Sequence, residues 1–243
     1  LKQNKWLSVK TARAKGVYVK AVLSTPQESV ETLIQGRHHK IVRISRNGRV
    51  IFRANHPPPI SISLKEIYAL AKKREVLLEN MARDFIQRQV RGRPSLAMPE
   101  RLAELIRARM CGSPAPVMTI AGSGNHGLFL GLPLYELYQK QGESVLPAVV
   151  FALLTEILMT GGKKRISDDC GLAVKAAPAL AAGLAYAQGL NLEPIERLMK
   201  SVQRAMAKLK CHGALASCGG KASLAYGVVH QQVKRLASGS KEA

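Results

Sequence analysis

The sequence predicts an α+β fold: a small β-rich N-terminal domain followed by a larger all-α domain rich in alanine and glycine. Three observations carry that expectation. Short runs of β-branched and aromatic residues fill the first 58 positions, with Asn47-Gly48 at the centre of a hairpin pattern. His56-Pro57-Pro58-Pro59 then interrupts the chain, because proline lacks a ladder donor and cannot continue a helix. Beyond it, apolar residues recur at three- and four-residue spacing almost to the end. The expected domains are residues 1–58 and 59–243.

Residues 16–23 and 29–35 alternate in part and carry Val, Tyr, Thr and Ile, as half-buried strands do. Residues 40–45 and 49–53 flank Asn47-Gly48, which tolerates the positive φ of a two-residue turn. Ser63 can cap a helix and Glu66 can complete a capping box. The apolar positions from Ile67 to Ile86 predict a single helix reaching about Val90. Arg91-Gly92-Arg93-Pro94 breaks it, and a second helix is expected from Pro99 to Met110. After Cys111-Gly112-Ser113-Pro114, helices are expected over residues 125–140, 144–160, 169–188, 193–209 and 220–236. Their many alanines and glycines imply backbones packed close together.

Composition narrows the function. The chain is 47% hydrophobic, enough for one sizeable core, which excludes a disordered protein despite its charge. No uninterrupted run of about 18 uncharged apolar residues occurs, so no membrane-spanning helix is expected. The opening Leu1-Lys2-Gln3-Asn4-Lys5-Trp6 has no signal-peptide stretch, and a first residue other than Met reads as a start inside a longer frame. Four cysteines do not make a disulfide framework in a chain of this size, so a reducing compartment, the cytoplasm, is expected. The net charge is +21. It is spread along the chain and densest at the front, where residues 1–58 carry twelve basic and two acidic side chains. A basic surface is the plain reading. A nucleic-acid partner is disfavoured, because aromatics are only 5% and no reader motif occurs.

Two constellations could carry chemistry. Cys170 lies in Asp168-Asp169-Cys170-Gly171 before an Ala-rich helix, while Cys211 and Cys218 bracket the small-residue stretch His212-Gly213-Ala214-Leu215-Ala216-Ser217. Small buried cysteines often simply pack. As ligands, three thiolates without a clear fourth suit an iron–sulfur cluster with one open iron better than a closed zinc site. The second constellation is Pro116-Val117-Met118-Thr119-Ile120-Ala121-Gly122-Ser123-Gly124-Asn125-His126-Gly127, a glycine-rich loop. Ser123, Gly124, Asn125 and the amides opening the next helix could hold a carboxylate. His126 reads either as a general base or as a structural hydrogen-bonder. The spacing is not that of a dinucleotide-binding loop.

Taken together, these segments resemble the L-cysteine desulfidase group, related to the alpha chain of iron–sulfur L-serine dehydratases. Pro116 to Gly127 looks like that family's PVM-T-x-(S/A)-GSGN-(Q/H)-G stretch, and Lys164-Arg165-Ile166-Ser167-x-x-Cys170-Gly171 its G-(K/R)-(L/I)-S-x-x-C-G segment. Cys211-x6-Cys218 matches the spacing of C-D-G-A-K-P-x-C, with His212 and Leu215 in place of its Asp and Lys. Residues 34–42 look like the family's I-x-G-x-H-x-x-I-V region. The resemblance implies a lyase with a 4Fe–4S cluster on Cys170, Cys211 and Cys218, acting on a small amino acid, cysteine or serine. It implies that Ser123, Gly124 and Asn125 hold the substrate, with His126 as a catalytic candidate. Family members carry a further N-terminal G-C-T-E-P motif, so a second polypeptide supplying it is an expected partner. A homo-oligomer is left open. The alternative reading is a catalytically inactive relative with a structural or partner-binding role.

Overall fold

The computed structural model describes residues 8–11, 13–14, 17–36, 41–54, 62–161 and 169–239. The expectations that rest on residues 37–40, 56–59 and 164–168 lie outside these. The chain divides into two compact units, Leu1–Pro59 and Ile60–Ala243.

The first unit is a four-stranded antiparallel sheet in the order β1 (Val17–Ser24), β2 (Ser29–Gly36), β3 (Ile41–Arg46) and β4 (Arg49–Arg53). Asn47 and Gly48 take φ values of 49° and 78°, the left-handed pair that lets a two-residue turn match the strand twist. Cross-strand pairing sorts the side chains by face. Val19, Ile34, Ile44 and Phe52 share one face, whereas Lys20 and Arg43 both pair with Glu31 on the other at 2.7 and 2.5 Å.

The described part of the second unit is mainly helical. Its elements are α1 (Leu64–Lys73), α2 (Val76–Gln87), α3 (Met98–Met110), α4 (Gly124–Gln141), α5 (Leu146–Gly161), α6 (Ala177–Ala187), α7 (Leu192–Met206) and α8 (Cys218–Gly239). Ser63 and Glu66 form the expected reciprocal capping box. The single helix expected to reach Val90 is two helices, because Arg74 adopts φ 56° and its Nε reaches Glu79 at 2.8 Å. The apolar spacing runs across the break almost in phase, so periodicity alone does not reveal it.

The core lies between α4, α5, α6 and α8, and alanine supplies much of it. A Cβ built on Gly183 of α6 would stand 2.6 Å from Ala152 Cβ and 3.1 Å from the Ala148 carbonyl oxygen, both on α5. One on Gly219 of α8 would stand 2.4 Å from the Ala103 oxygen of α3. These helices approach as near as they do because the side chain is missing. The run Gly124–Gly161 is long and apolar enough to cross a membrane when an occasional charge is tolerated. It is divided by a 3₁₀ turn at Gly142–Val145, and 61% of its most apolar window is buried inside this unit, as a core helix would be. Replacing Gly183 with alanine should lower stability by about 1–3 kcal/mol through overpacking. A fall in the urea midpoint at unchanged slope would check this, and an unchanged midpoint would refute the contact.

Candidate functional site

The glycine-rich loop is built around a tight turn. Ile120 and Ser123 exchange backbone hydrogen bonds at 3.2 and 2.9 Å, with Ala121 and Gly122 between them at φ 49° and 81°. The left-handed conformation at Ala121, where a Cβ is unfavourable, is held by those two bonds. Ser123 then caps α4, its hydroxyl accepting from the His126 N–H at 3.3 Å. The preceding strand-like stretch is clamped by Gln89, which is 3% exposed. Its Nε2 donates to the Met118 carbonyl, and its Oε1 accepts from the Met118 N–H, each at 3.2 Å. A Cβ on Gly127 would fall 1.9 Å from the Met118 oxygen, so the loop lies directly on the first turn of α4.

That seating aims the side chains. Asn125 accepts from Arg109 Nη1 at 3.1 Å and its amide points at Met110 Sδ, 3.5 Å away. A Cβ on Gly124 would meet Arg109 Nε at 2.6 Å. Of the expected substrate-binding group, Ser123 is therefore engaged as a cap and Asn125 is oriented by an arginine. Gly124 keeps room for the Arg109 guanidinium. A carboxylate arriving here would meet a cation that the sequence reading did not single out.

His126 Nδ1 lies 2.6 Å from Glu156 Oε1, which also accepts from Thr160 Oγ1 at 2.9 Å. Glu156 is 0% exposed, and its Oε2 has no hydrogen-bond partner among the described residues. Burying a carboxylate is costly unless it is paired, so this one is committed to the imidazole. In the neutral tautomer whose Nδ1–H donates to Glu156, Nε2 is left as an acceptor. Nε2 faces Gly171, where a Cβ would stand 3.2 Å from it. The absence of a side chain at Gly171 thus brings the imidazole against the residue next to Cys170. Glu156 was legible in principle, as the one charged residue in the apolar run of α5.

Cys170 is buried and opens a π-helical turn, Leu172–Ala176, that leads into α6. Wide turns of this kind recur where a helix has been adapted to a site. The Cys170 N–H donates to the Leu209 carbonyl at 2.9 Å, and Asp169 bridges to Lys210, whose Nζ is 2.7 Å from its carboxylate. The segments carrying Cys170 and Cys211 therefore run side by side. Cys218, the first residue of α8, donates its S–H to the Gly213 carbonyl at 3.5 Å. One turn on, Lys221 Nζ donates to the Lys210 carbonyl at 2.6 Å. Burial pushes the Cys170 thiol up, partly offset by the Ala173 N–H and by the Lys221 charge.

Three thiols on adjoining segments, beside a lysine and a helix N-terminus, fit an anionic soft-metal centre by the chemistry of the donor set. Among the described residues, no three His, Cys, Asp or Glu side chains yet converge as metal ligands. Cys211 and the residues up to Ser217 are all exposed. The pieces lie on neighbouring segments rather than closed around a point.

The helical unit thus sets a buried His–Glu pair beside a cysteine-bearing turn. Residues 21–239 match the family described as serine dehydratase alpha chain, and the chain belongs to that family. Among similar proteins, a UPF0597 protein of Clostridium botulinum strain Hall is 24% identical over 87% of this chain. A UPF0597 protein of Methanocella arvoryzae is 37% identical over 50% of this chain, and one of Caldanaerobacter subterraneus 32% identical over 58%. The chain spans 59% of the length of the Clostridium relative. No solved structure matches.

The Cys170 environment sets an expected order of thiol reactivity. Buried and with its pKa raised by that burial, Cys170 is less accessible and less ionised than an ordinary thiol, so its reaction with iodoacetamide should lag that of exposed Cys211. The sign follows from linkage: the neutral buried thiol favours the fold below the ordinary thiol pKa. That contribution is lost as pH rises through the raised value. Peptide mapping after timed alkylation at pH 8 and at higher pH checks this; equal rates at pH 8 would contradict it.

Proposed function

We propose that this chain carries the catalytic portion of an iron–sulfur amino acid lyase that eliminates the β-substituent of L-cysteine or L-serine. The observation that carries the reading is the His126 imidazole, fixed by buried Glu156 on one side and presented to the Cys170–Gly171 turn on the other. Membership of the serine dehydratase alpha chain family supports it.

Cys170, Cys211 and Cys218 would hold the cluster, which would supply Lewis-acid assistance to the leaving group. The remaining work belongs to the chain. Arg109, held at Asn125, supplies a positive charge for the substrate carboxylate at the start of α4. His126 Nε2, left as an acceptor by Nδ1–H donation to Glu156, takes the proton from the α-carbon. Glu156 stabilises the imidazolium that forms and keeps the ring from turning. Thr160 holds the acceptor oxygen in place. Loss of the β-substituent leaves an aminoacrylate, which tautomerises and hydrolyses to pyruvate and ammonia. The leaving group departs as sulfide from cysteine or as water from serine.

In this reading the family's N-terminal cysteine motif, carried on the same polypeptide or on a companion, completes the assembly. A reducing, cytoplasmic setting keeps the thiols free.

The test is anaerobic reconstitution of the chain, alone and with such a companion segment. Absorbance near about 400 nm should appear with native protein and fall with Cys170→Ala, Cys211→Ala or Cys218→Ala. Glu156→Gln should keep that absorbance and the KM while lowering pyruvate formation by about 100-fold or more. Full cluster uptake by Cys170→Ala would overturn the ligand assignment. Undiminished turnover by Glu156→Gln would overturn the role of the pair.

A further inference from the structure

Helices α4 and α8 and the run from the π-turn through α6 have a second shared region. Each begins at the candidate site: α4 after Ser123, the π-turn and α6 after Cys170, and α8 at Cys218. Their C-terminal halves meet again around a cavity of about 390 Å³, within the range of small-ligand sites. Pro133 and Lys140 come from α4, Leu184 from α6, and Tyr226, His230 and Lys234 from α8. Eight residues separate Asn125 from Pro133 and Cys218 from Tyr226, so the cavity lies about 12 Å along the helices from the candidate site.

Its walls are chemically divided. Pro133, Leu184 and Val233 give an apolar floor. The Tyr226 and His230 rings stack at 6.0 Å and 17°, forming a flat side. Glu136 also reaches the cavity, but its carboxylate is taken by the buried guanidinium of Arg101. Lys140 and Lys234, on the rim, have no acidic partner among the described residues. An apolar floor, an aromatic wall and two unpaired ammonium groups form one complementary surface. It suits an anion with an apolar body.

We propose that this cavity is a second ligand site, apart from the cysteine and histidine cluster, that binds small organic carboxylates bearing an apolar or aromatic group. The carboxylate sits between Lys140 and Lys234, and the body lies over Leu184 against the Tyr226 ring. The inference does not depend on the lyase reading, since it rests on residues that reading does not use. The structural alternative is that Lys140 only complements the C-terminal end of α4, where cations are favoured, and that Lys234 is only a solvated charge. The two accounts differ in ligand selectivity.

The probe is 3-phenylpropanoate, titrated calorimetrically into the chain. Its uncharged counterpart 3-phenylpropanamide and the cationic phenethylamine serve as comparisons. The carboxylate should bind saturably, with the amide and amine weaker by about tenfold or more. Lys140→Gln combined with Lys234→Gln should cost about tenfold in affinity, and Leu184→Trp should remove binding by filling the floor. Both lysines are exposed, so the lysine pair decides the matter even if Leu184→Trp perturbs folding. Glu156→Gln should bind the probe as the native chain does, which separates this site from the first. Equal binding of acid and amide, an unaffected double lysine variant, or no binding of the acid up to about 10 mM would each overturn the proposal.

Discussion

The seating of the Met118 carbonyl on the first turn of α4 is the constraint from which the candidate site follows. The carbonyl oxygen occupies the place a Cβ of Gly127 would take, and Gln89 holds the same peptide from the other side. With that peptide fixed, the Ile120–Ser123 turn has one way to close, and α4 starts in a fixed direction. His126 then points at the α5 helix, where Glu156 waits without contact to water. A flexible loop could present the same residues, but not with a buried carboxylate as counterpart. Desolvation makes the pair directional, because an imidazole turned away would leave Glu156 unpaired in the core.

Close backbone packing recurs through the helical unit and explains its composition. Gly183 against Ala152 and Gly219 against the Ala103 carbonyl draw α5, α6, α3 and α8 together with little side-chain volume between them. Cores of this sort depend less on large apolar residues than on fit, so an added methyl group is felt. Larger rings also cluster: Tyr68 meets Phe151 and Tyr186 edge to face at centroid distances of 5.7 and 5.3 Å, and Phe151 lies tilted against Tyr186 at 5.2 Å.

Much of this was legible in the chain. The Asn47-Gly48 turn and the Ser63–Glu66 box are local, each decided by two or three neighbouring residues, and both stand as the sequence implied. The break at Arg74 was not legible, because the apolar period continues across it and no glycine or proline marks it. The cysteines and the glycine-rich loop stand out in the sequence by position, and the roles expected of them rest on the family resemblance. Their surroundings were hidden, since Gln89, Arg109 and Glu156 reach the site from three different helices or their ends. A single acid inside an apolar helix was the one available sign, and it named the residue but not its partner.

The pairing of the Asp169–Cys170 segment with Leu209–Lys210 carries a consequence for biogenesis. The Cys170–Leu209 backbone hydrogen bond and the Asp169–Lys210 contact close a loop of about forty residues that contains all of α6 and α7. Cys170 and Cys211 are therefore brought side by side by the helical hairpin between them, and Cys218 by the packing of α8 on α3. A group held jointly by the three thiols, as the proposed function requires, would tie together segments about forty residues apart, so its uptake would report on an assembled domain.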